Sequence, residues 1–222
     1  MKRPLLILRP EPGAAATAAL ARAAGFDCLC RPLFHILACP WDAPDPSGFD
    51  AVMMTSANAA RHGGPALDAY RHLPLYAVGA PTARAAAERG FADIVAGDSD
   101  GVALVERMAR DGRRQVLHFA GVDRIGLTSA EVAISVRAVY RSAAIDPPPP
   151  LADAIARRPV ALVHSPRAAR RLAEIVADRA AVRIAAISAR ALAAAGDGWA
   201  AGASAAAPTD DALLAVAARL CD

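Results

Sequence analysis

"AVMMTSANAARHGG", residues 51–64, carries an apolar run straight into Thr55-Ser56-Ala57-Asn58 and then into a helix-like stretch. Such a run, closed by small hydroxyl and amide side chains, predicts a buried strand that turns into a helix. Ser, Thr and Asn at that turn accept hydrogen bonds from the orphan N–H groups of a helix's first turn. The same N–H groups, with the helix dipole behind them, also make an anion site. One copy of the pattern leaves both readings open, so its recurrence matters.

"TSANAAR" at 55–61 is matched by "HSPRAAR" at 164–170, which sets Ser165 109 residues after Ser56. "LYAVGAPTARAAAERG" at 75–90 pairs with "RIAAISARALAAAG" at 183–196, Val78 against Ile187, again at 109. "DSDGVALVERMARD" at 98–111 resembles "PTDDALLAVAARLCD" at 208–222, with Asp100 against Asp210 at 110. More loosely, "LLILRPEPGAA" at 5–15 resembles "QVLHFAGVDRI" at 115–125. Matches in one order at nearly one offset indicate a duplicated unit. Each half then offers strand-to-helix turns at the carboxyl edge of its sheet, where α/β folds bind ligands.

Working outward, apolar runs predict strands at 5–8, 27–39, 51–54, 75–78, 93–95, 116–119, 136–145, 160–163, 183–187 and near Ala203. Helical patterns lie between most of them, the first over 14–24, and this alternation predicts α/β layers with mainly parallel sheets. "CPWDAPDPSG" at 39–48 and "IDPPPP" at 145–150 are Pro-rich, break the pattern and read as linkers.

The 222 residues suit one large domain or two small ones. Hydrophobic residues make up 55% and aromatics only 5%, the difference being largely Ala, which favours helices. The net charge of +3 comes from dispersed arginines and the single lysine Lys2, with no basic run interleaved with aromatics, so nucleic-acid binding is not expected. The apolar stretch 5–8 is too short for a signal-peptide core or a membrane span, and a cytoplasmic protein without a membrane partner is expected.

Cys28, Cys30, Cys39 and Cys221 read as reduced thiols in that compartment. Cys28 and Cys30 face one side of a strand but lack a second pair or a neighbouring His, so no metal is expected. His35, His62, His72, His118 and His164 show no metal-ligand spacing. His164 precedes Ser165 without a Gly-x-Ser-x-Gly elbow, which argues against a hydrolase. The 121–126 stretch lacks the glycine spacing of a dinucleotide site, and no P-loop is present.

The succession "LLILRPEP", "MMTSANAAR", "YAVGAPTARAAAERG", "VLHFAG", "VRAVYRSAAI" and "ALVHSPRAAR" resembles the uroporphyrinogen-III synthase family over nearly the whole chain. The resemblance implies two flavodoxin-like α/β domains with mainly parallel sheets, joined by a two-stranded β-ladder. Residues 1–31 and 147–222 would form a discontinuous domain and 46–137 an inserted one. Residues 32–45 and 138–146 would link them, with "PLFHILAC" and "VYRSAAI" as the ladder. The implied reaction closes the linear tetrapyrrole hydroxymethylbilane into uroporphyrinogen III, losing water and inverting the last ring, with no metal or organic cofactor. A monomer is expected, with a transient hand-off from hydroxymethylbilane synthase. Helix N-termini and Arg side chains suit the acetate and propionate carboxylates of such a substrate.

Carried over residue by residue, Tyr140 in "AVYRS" matches a cleft-facing tyrosine and would donate a hydrogen bond, or a proton, to the leaving hydroxyl as an azafulvene-like cation forms. The bland reading is a strand tyrosine packed on a domain face. Thr55, Ser56 and Ser165 occupy the paired turns, and Thr82 in "VGAPTA" reads as the cap of the next helix. As caps alone these are worth about 1 kcal/mol each; the resemblance makes them substrate contacts. Ser188 stands where relatives show a Gly-Pro-Thr-Thr-like turn, but "AISARALAAAG" lacks the threonines, leaving Ser188 or Arg190 to serve. Arg9 and Arg124 follow equivalent strands and suit bidentate pairing with carboxylates, or are solvated arginines near helix starts. Two rival classes remain open on the residues: a hinged module that clamps an anionic metabolite, and an inactive paralogue of the synthase.

Overall fold

The computed structural model describes residues 3–97 and 100–221. Met1, Lys2, Asp222, and Asp98 and Ser99 of the third repeated stretch lie outside the described residues. In chain order the elements are β1 (Leu5–Ile7), α1 (Gly13–Ala23), β2 (Cys28–Cys30), β3 (Phe34–Ala38), β4 (Ala51–Met54) and α2 (Ala57–His62). Next come β5 (Leu75–Val78), α3 (Gly79–Glu88), β6 (Ile94–Gly97), α4 (Gly101–Arg110), β7 (Gln115–Gly121) and β8 (Ala133–Ala144). The chain ends through α5 (Ala152–Ala156), β9 (Val160–Val163), α6 (Pro166–Ile175), β10 (Arg183–Ala186), α7 (Ala189–Ala195), β11 (Ala201–Ser204) and α8 (Asp210–Cys221). It divides into two compact units, Met1–His35 with Ala143–Asp222, and Ile36–Ser142.

The first unit holds a parallel five-stranded sheet in the order β11-β10-β9-β1-β2. Its central strands are apolar at consecutive positions because helices cover both faces. Leu6, Ala161, Val163 and Ile184 pack under Ala169 and Leu172 of α6 and Ala191 of α7. The alternate residues Leu5, Ile7, Val160 and Leu162 meet Ala14, Ala18 and Ala21 of α1 and Leu213 and Ala217 of α8.

The second unit holds a six-stranded sheet in the order β3-β8-β7-β4-β5-β6. From β8 to β6 every pairing is parallel. β3 is antiparallel to β8: Cys39 N donates to Val139 O and, farther back on β3's side, Leu33 O accepts from Ile145 N. One face buries Val52, Met54, Leu117 and Phe119 under α2 and α3; the other buries Ala51, Met53 and Val116 under Leu104, Val105 and Met108 of α4.

The order β6-β5-β4-β7-β8 repeats β11-β10-β9-β1-β2, so the duplication read from the chain reappears as topology. The loosest sequence match, 5–15 with 115–125, pairs β1 with β7, the strands flanking β9 and β4.

Several expectations change in the structure. The single strand expected over 27–39 is two strands in different sheets, because Pro32 has no N–H to give a ladder and the chain leaves β1 at Leu33. The 39–48 segment, read as a linker, is fastened to its own unit. Trp41 packs edge-on against Phe119 at 5.4 Å, its Nε1 donates to Gly63 O, and Tyr70 Oη donates to Pro44 O at 2.6 Å. Proline keeps that segment out of the sheet; the indole supplies the burial that anchors it. Thr82 does not cap a helix. The chain turns at Gly79 with φ of 75°, α3 starts there after Val78, and Thr82 falls within the helix and is buried.

Candidate active site

In the second unit β4 delivers Thr55 and Ser56 to its carboxyl end. Ser56 is the extended N-cap of α2, and its Oγ accepts from Asn58 N at 3.2 Å, so the capping reading of that turn is met in full. Thr55 Oγ1 lies 3.2 Å from Nε2 of His118, which β7 carries opposite Met53. His118 is only 2% exposed. Burial first, and then the Arg124 guanidinium, push its imidazole down to about 4, so the ring is neutral near pH 7.

Arg124 follows β7 on an exposed loop, and its guanidinium donates to the carbonyl oxygens of Gly121 and Val122 at 3.4 and 3.3 Å. Val122 and Ile125 on either side of it are apolar and exposed, Ile125 to 85%. A register shift after Ala120 sets Gly121 opposite Tyr140 on β8. A β-carbon at Gly121 would lie 2.9 Å from Cε2 and Cζ of the Tyr140 ring and 3.0 Å from its hydroxyl oxygen. Thr55 and His118 therefore meet at the carboxyl ends of β4 and β7, with Arg124 acting on the ring from the following loop. Tyr140 packs over Gly121 with Phe119 on the α2/α3 face of the sheet. Sequence reasoning reaches Thr55, Arg124 and Tyr140; it misses His118, whose lone position in "VLHFAG" gives no motif.

In the first unit Arg9 lies just past β1, over the start of α1, where a β-carbon on Gly13 would meet its Nε at 2.6 Å. Its guanidinium is already engaged: one nitrogen donates to Thr17 Oγ1 at 3.1 Å and to Asp210 at 3.1 and 3.2 Å. Thr17 donates to Asp210 Oδ2 at 2.9 Å, and His164 Nε2 lies 3.1 Å from Oδ1. The His164 hydrogen bond chiefly, with Thr17 and Arg9 adding to it against burial, holds the Asp210 carboxyl below the usual carboxylate range. Since a carboxylate only accepts, His164 carries its proton on Nε2.

Sequence reasoning misses Asp210, Thr17 and His164 as a cluster, although the repeat contains a clue. Asp100 caps α4, its Oδ1 accepting from Val102 and Ala103 N at 3.0 Å. In α8 the corresponding hydrogen bond comes from Thr209, whose Oγ1 accepts from Ala212 N at 3.3 Å. Asp100 thus corresponds to Thr209, at the offset of 109, and Asp210 is left over to face Arg9. Ser165 and Ser188 are extended N-caps of α6 and α7, accepting from Ala168 N at 3.1 Å and Ala191 N at 3.2 Å. Arg190 is exposed in the first turn of α7.

A profile of the uroporphyrinogen-III synthase HemD family matches residues 15–215, which takes in nearly all of both sheets. The chain belongs to the uroporphyrinogen-III synthase family. Among solved structures, the uroporphyrinogen-III synthetase of Helicobacter pylori is similar, with a TM-score of 0.68 at 16% identity over 98% of this chain and 99% of that one. A mutant uroporphyrinogen III synthase from the extremely thermophilic bacterium Thermus thermophilus gives 0.51 at 18% identity over 98% of each chain. At these identities the likeness is one of fold. No curated protein matches the chain by sequence.

Among the described residues no group of three or more His, Cys, Asp or Glu is placed to hold a metal ion, and no helix is long and apolar enough to cross a membrane.

Proposed function

We infer that this member of the family closes hydroxymethylbilane to uroporphyrinogen III, with loss of water and inversion of ring D, in tetrapyrrole biosynthesis. The family match over residues 15–215 carries that reading. The geometry of the second unit suits the chemistry. Loss of the substrate's hydroxyl leaves an azafulvene-like cation, and Tyr140 is the group we assign to protonate that hydroxyl as it departs. Inversion requires the cationic carbon to meet ring D at the pyrrole carbon that already carries a bridge. Holding the chain curled for that contact is work for binding groups rather than for further acids and bases.

Those groups, in our reading, are Thr55, the Ser56 turn and Arg124 in one unit, and the Ser165 and Ser188 turns in the other. Each carries hydrogen-bond donors that a substrate carboxylate could accept from. Val122 and Ile125 present apolar surface beside Arg124 that suits pyrrole faces. Arg9 reaches a carboxylate only in competition with Asp210, which makes it a weaker candidate than Arg124. Thr82, buried in α3, is set aside as a contact. A monomeric cytoplasmic enzyme that takes its substrate by transient hand-off from hydroxymethylbilane synthase fits a bilane that closes unaided in water.

The test supplies freshly generated hydroxymethylbilane to the purified protein, oxidises the products and separates the porphyrin isomers. Isomer III in excess of a protein-free control is expected. Isomer I alone, from folded protein, would overturn the reading in favour of a binding module or an inactive paralogue.

A further inference from the structure

Thr55 has a partner that the reaction as described does not use: the buried ring of His118, with Nε2 3.2 Å from Thr55 Oγ1. A hydroxyl carries one proton and two lone pairs. Were Nε2 to accept that proton, Thr55 would turn only lone pairs toward a substrate carboxylate and repel it. With a hydrogen on Nε2, the ring donates to Oγ1 and the Thr55 proton is free to bond the carboxylate.

We propose that His118 is a positioning residue that donates from Nε2–H to Thr55 Oγ1 and thereby makes the Thr55 hydroxyl a carboxylate donor. This rests on the reading of Thr55 as a substrate contact. The surroundings of the ring fit the role. It is fixed on β7, two strand positions before Ala120 and the register shift that seats Tyr140, and is closed off from solvent. Burial and the neighbouring Arg124 keep it neutral, so the tautomer, not a charge, sets the direction of the hydrogen bond. A charged imidazole at this place would itself attract the carboxylate and need no threonine; a neutral ring acts through Thr55.

Long-range proton–nitrogen correlation on the full chain labelled at histidine nitrogen reads the tautomer directly. A hydrogen on Nε2 with a bare Nδ1 at pH 7 is expected, and a hydrogen on Nδ1 instead would overturn the proposal. Kinetics test the coupling. Thr55→Val should raise KM about tenfold with kcat little changed, the loss of one hydrogen bond to a charged group. His118→Leu should raise KM to a similar degree, and the double variant should be no worse than Thr55→Val alone. His118→Gln, whose side-chain amide can donate, should recover most of the loss and covers the case in which the leucine variant fails to fold.

Effects on KM that multiply in the double variant would mean that His118 acts independently of Thr55, and would sink the proposal. The underlying reading fails differently: wild-type protein would then yield isomer I, or Thr55→Val would leave KM unchanged.

Discussion

The Tyr140 ring fills the space that a β-carbon on Gly121 would need, with Cε2 and Cζ 2.9 Å from that position. Gly121 has no left-handed backbone to explain it, so the ring's approach is the constraint. Gly121→Ala must therefore move the tyrosine. Tyr140→Phe is expected to slow isomer III formation by roughly 10²-fold without abolishing it, the size of one general acid. Gly121→Ala should lower the rate in the same direction, and the two changes together should cost little more than Tyr140→Phe alone. Steady-state rates for the three variants check this; a Gly121→Ala enzyme at full rate would refute the packing argument.

His118 makes stability depend on pH. Its folded value of about 4 lies below the ordinary 6.5, so between those values the unfolded chain binds more protons and stability rises with pH. Going from pH 7 down to pH 5 should remove about 2 kcal/mol, with the loss continuing to pH 4. Urea midpoints across that range measure it, and His118→Gln should flatten this part of the profile.

Asp210 acts in the opposite sense of charge. Its carboxyl is held below the usual range by His164, Thr17 and Arg9, so its contribution is present above the ordinary carboxylate value and is lost as pH falls through the depressed one. Asp210→Asn leaves Arg9 and His164 facing a neutral amide and should destabilise the protein by about 1–3 kcal/mol at pH 7. A midpoint unchanged from wild type would show that the cluster carries no stability.

The serine turns separate capping from binding. Ser165→Ala and Ser188→Ala should each lower stability by about 1 kcal/mol, whereas Ser→Gly at the same sites should lower it by only a few tenths. A KM that rises in the Gly variants while the unfolding midpoint holds identifies a substrate contact; a KM that simply follows stability marks a cap and nothing more.

Short-range physics made much of this chain legible. Buried strands betray themselves as continuous apolar runs, and helix starts as Ser, Thr or Asp ahead of an Ala-rich pattern. Ser56, Ser165, Ser188 and Asp100 are all caps in the structure. Their alternation carried the α/β class, and their repetition at nearly one offset carried the duplicated unit that the structure shows as a like strand order in the two sheets. Thr82 misled because the signal for a cap is local and ambiguous by a few residues, and the glycine that turns the chain outranked the hydroxyl.

What only the tertiary structure decided is which long-range partners meet. Arg9 and Asp210 are 201 residues apart in the chain, and no local pattern distinguishes an arginine held by an aspartate from one open to substrate. Gly121 against Tyr140 depends on a register shift between two strands, and Trp41's anchorage of a proline-rich segment depends on aromatic rings brought in by other elements. The sequence by itself determined most of the elements and their repetition, since each follows from neighbours along the chain, and its resemblance to a family implied the class of chemistry. The pairing of charges and rings waited on the folded sheets, because hydrogen bonds and packing act across a few ångströms of space whatever the distance in sequence.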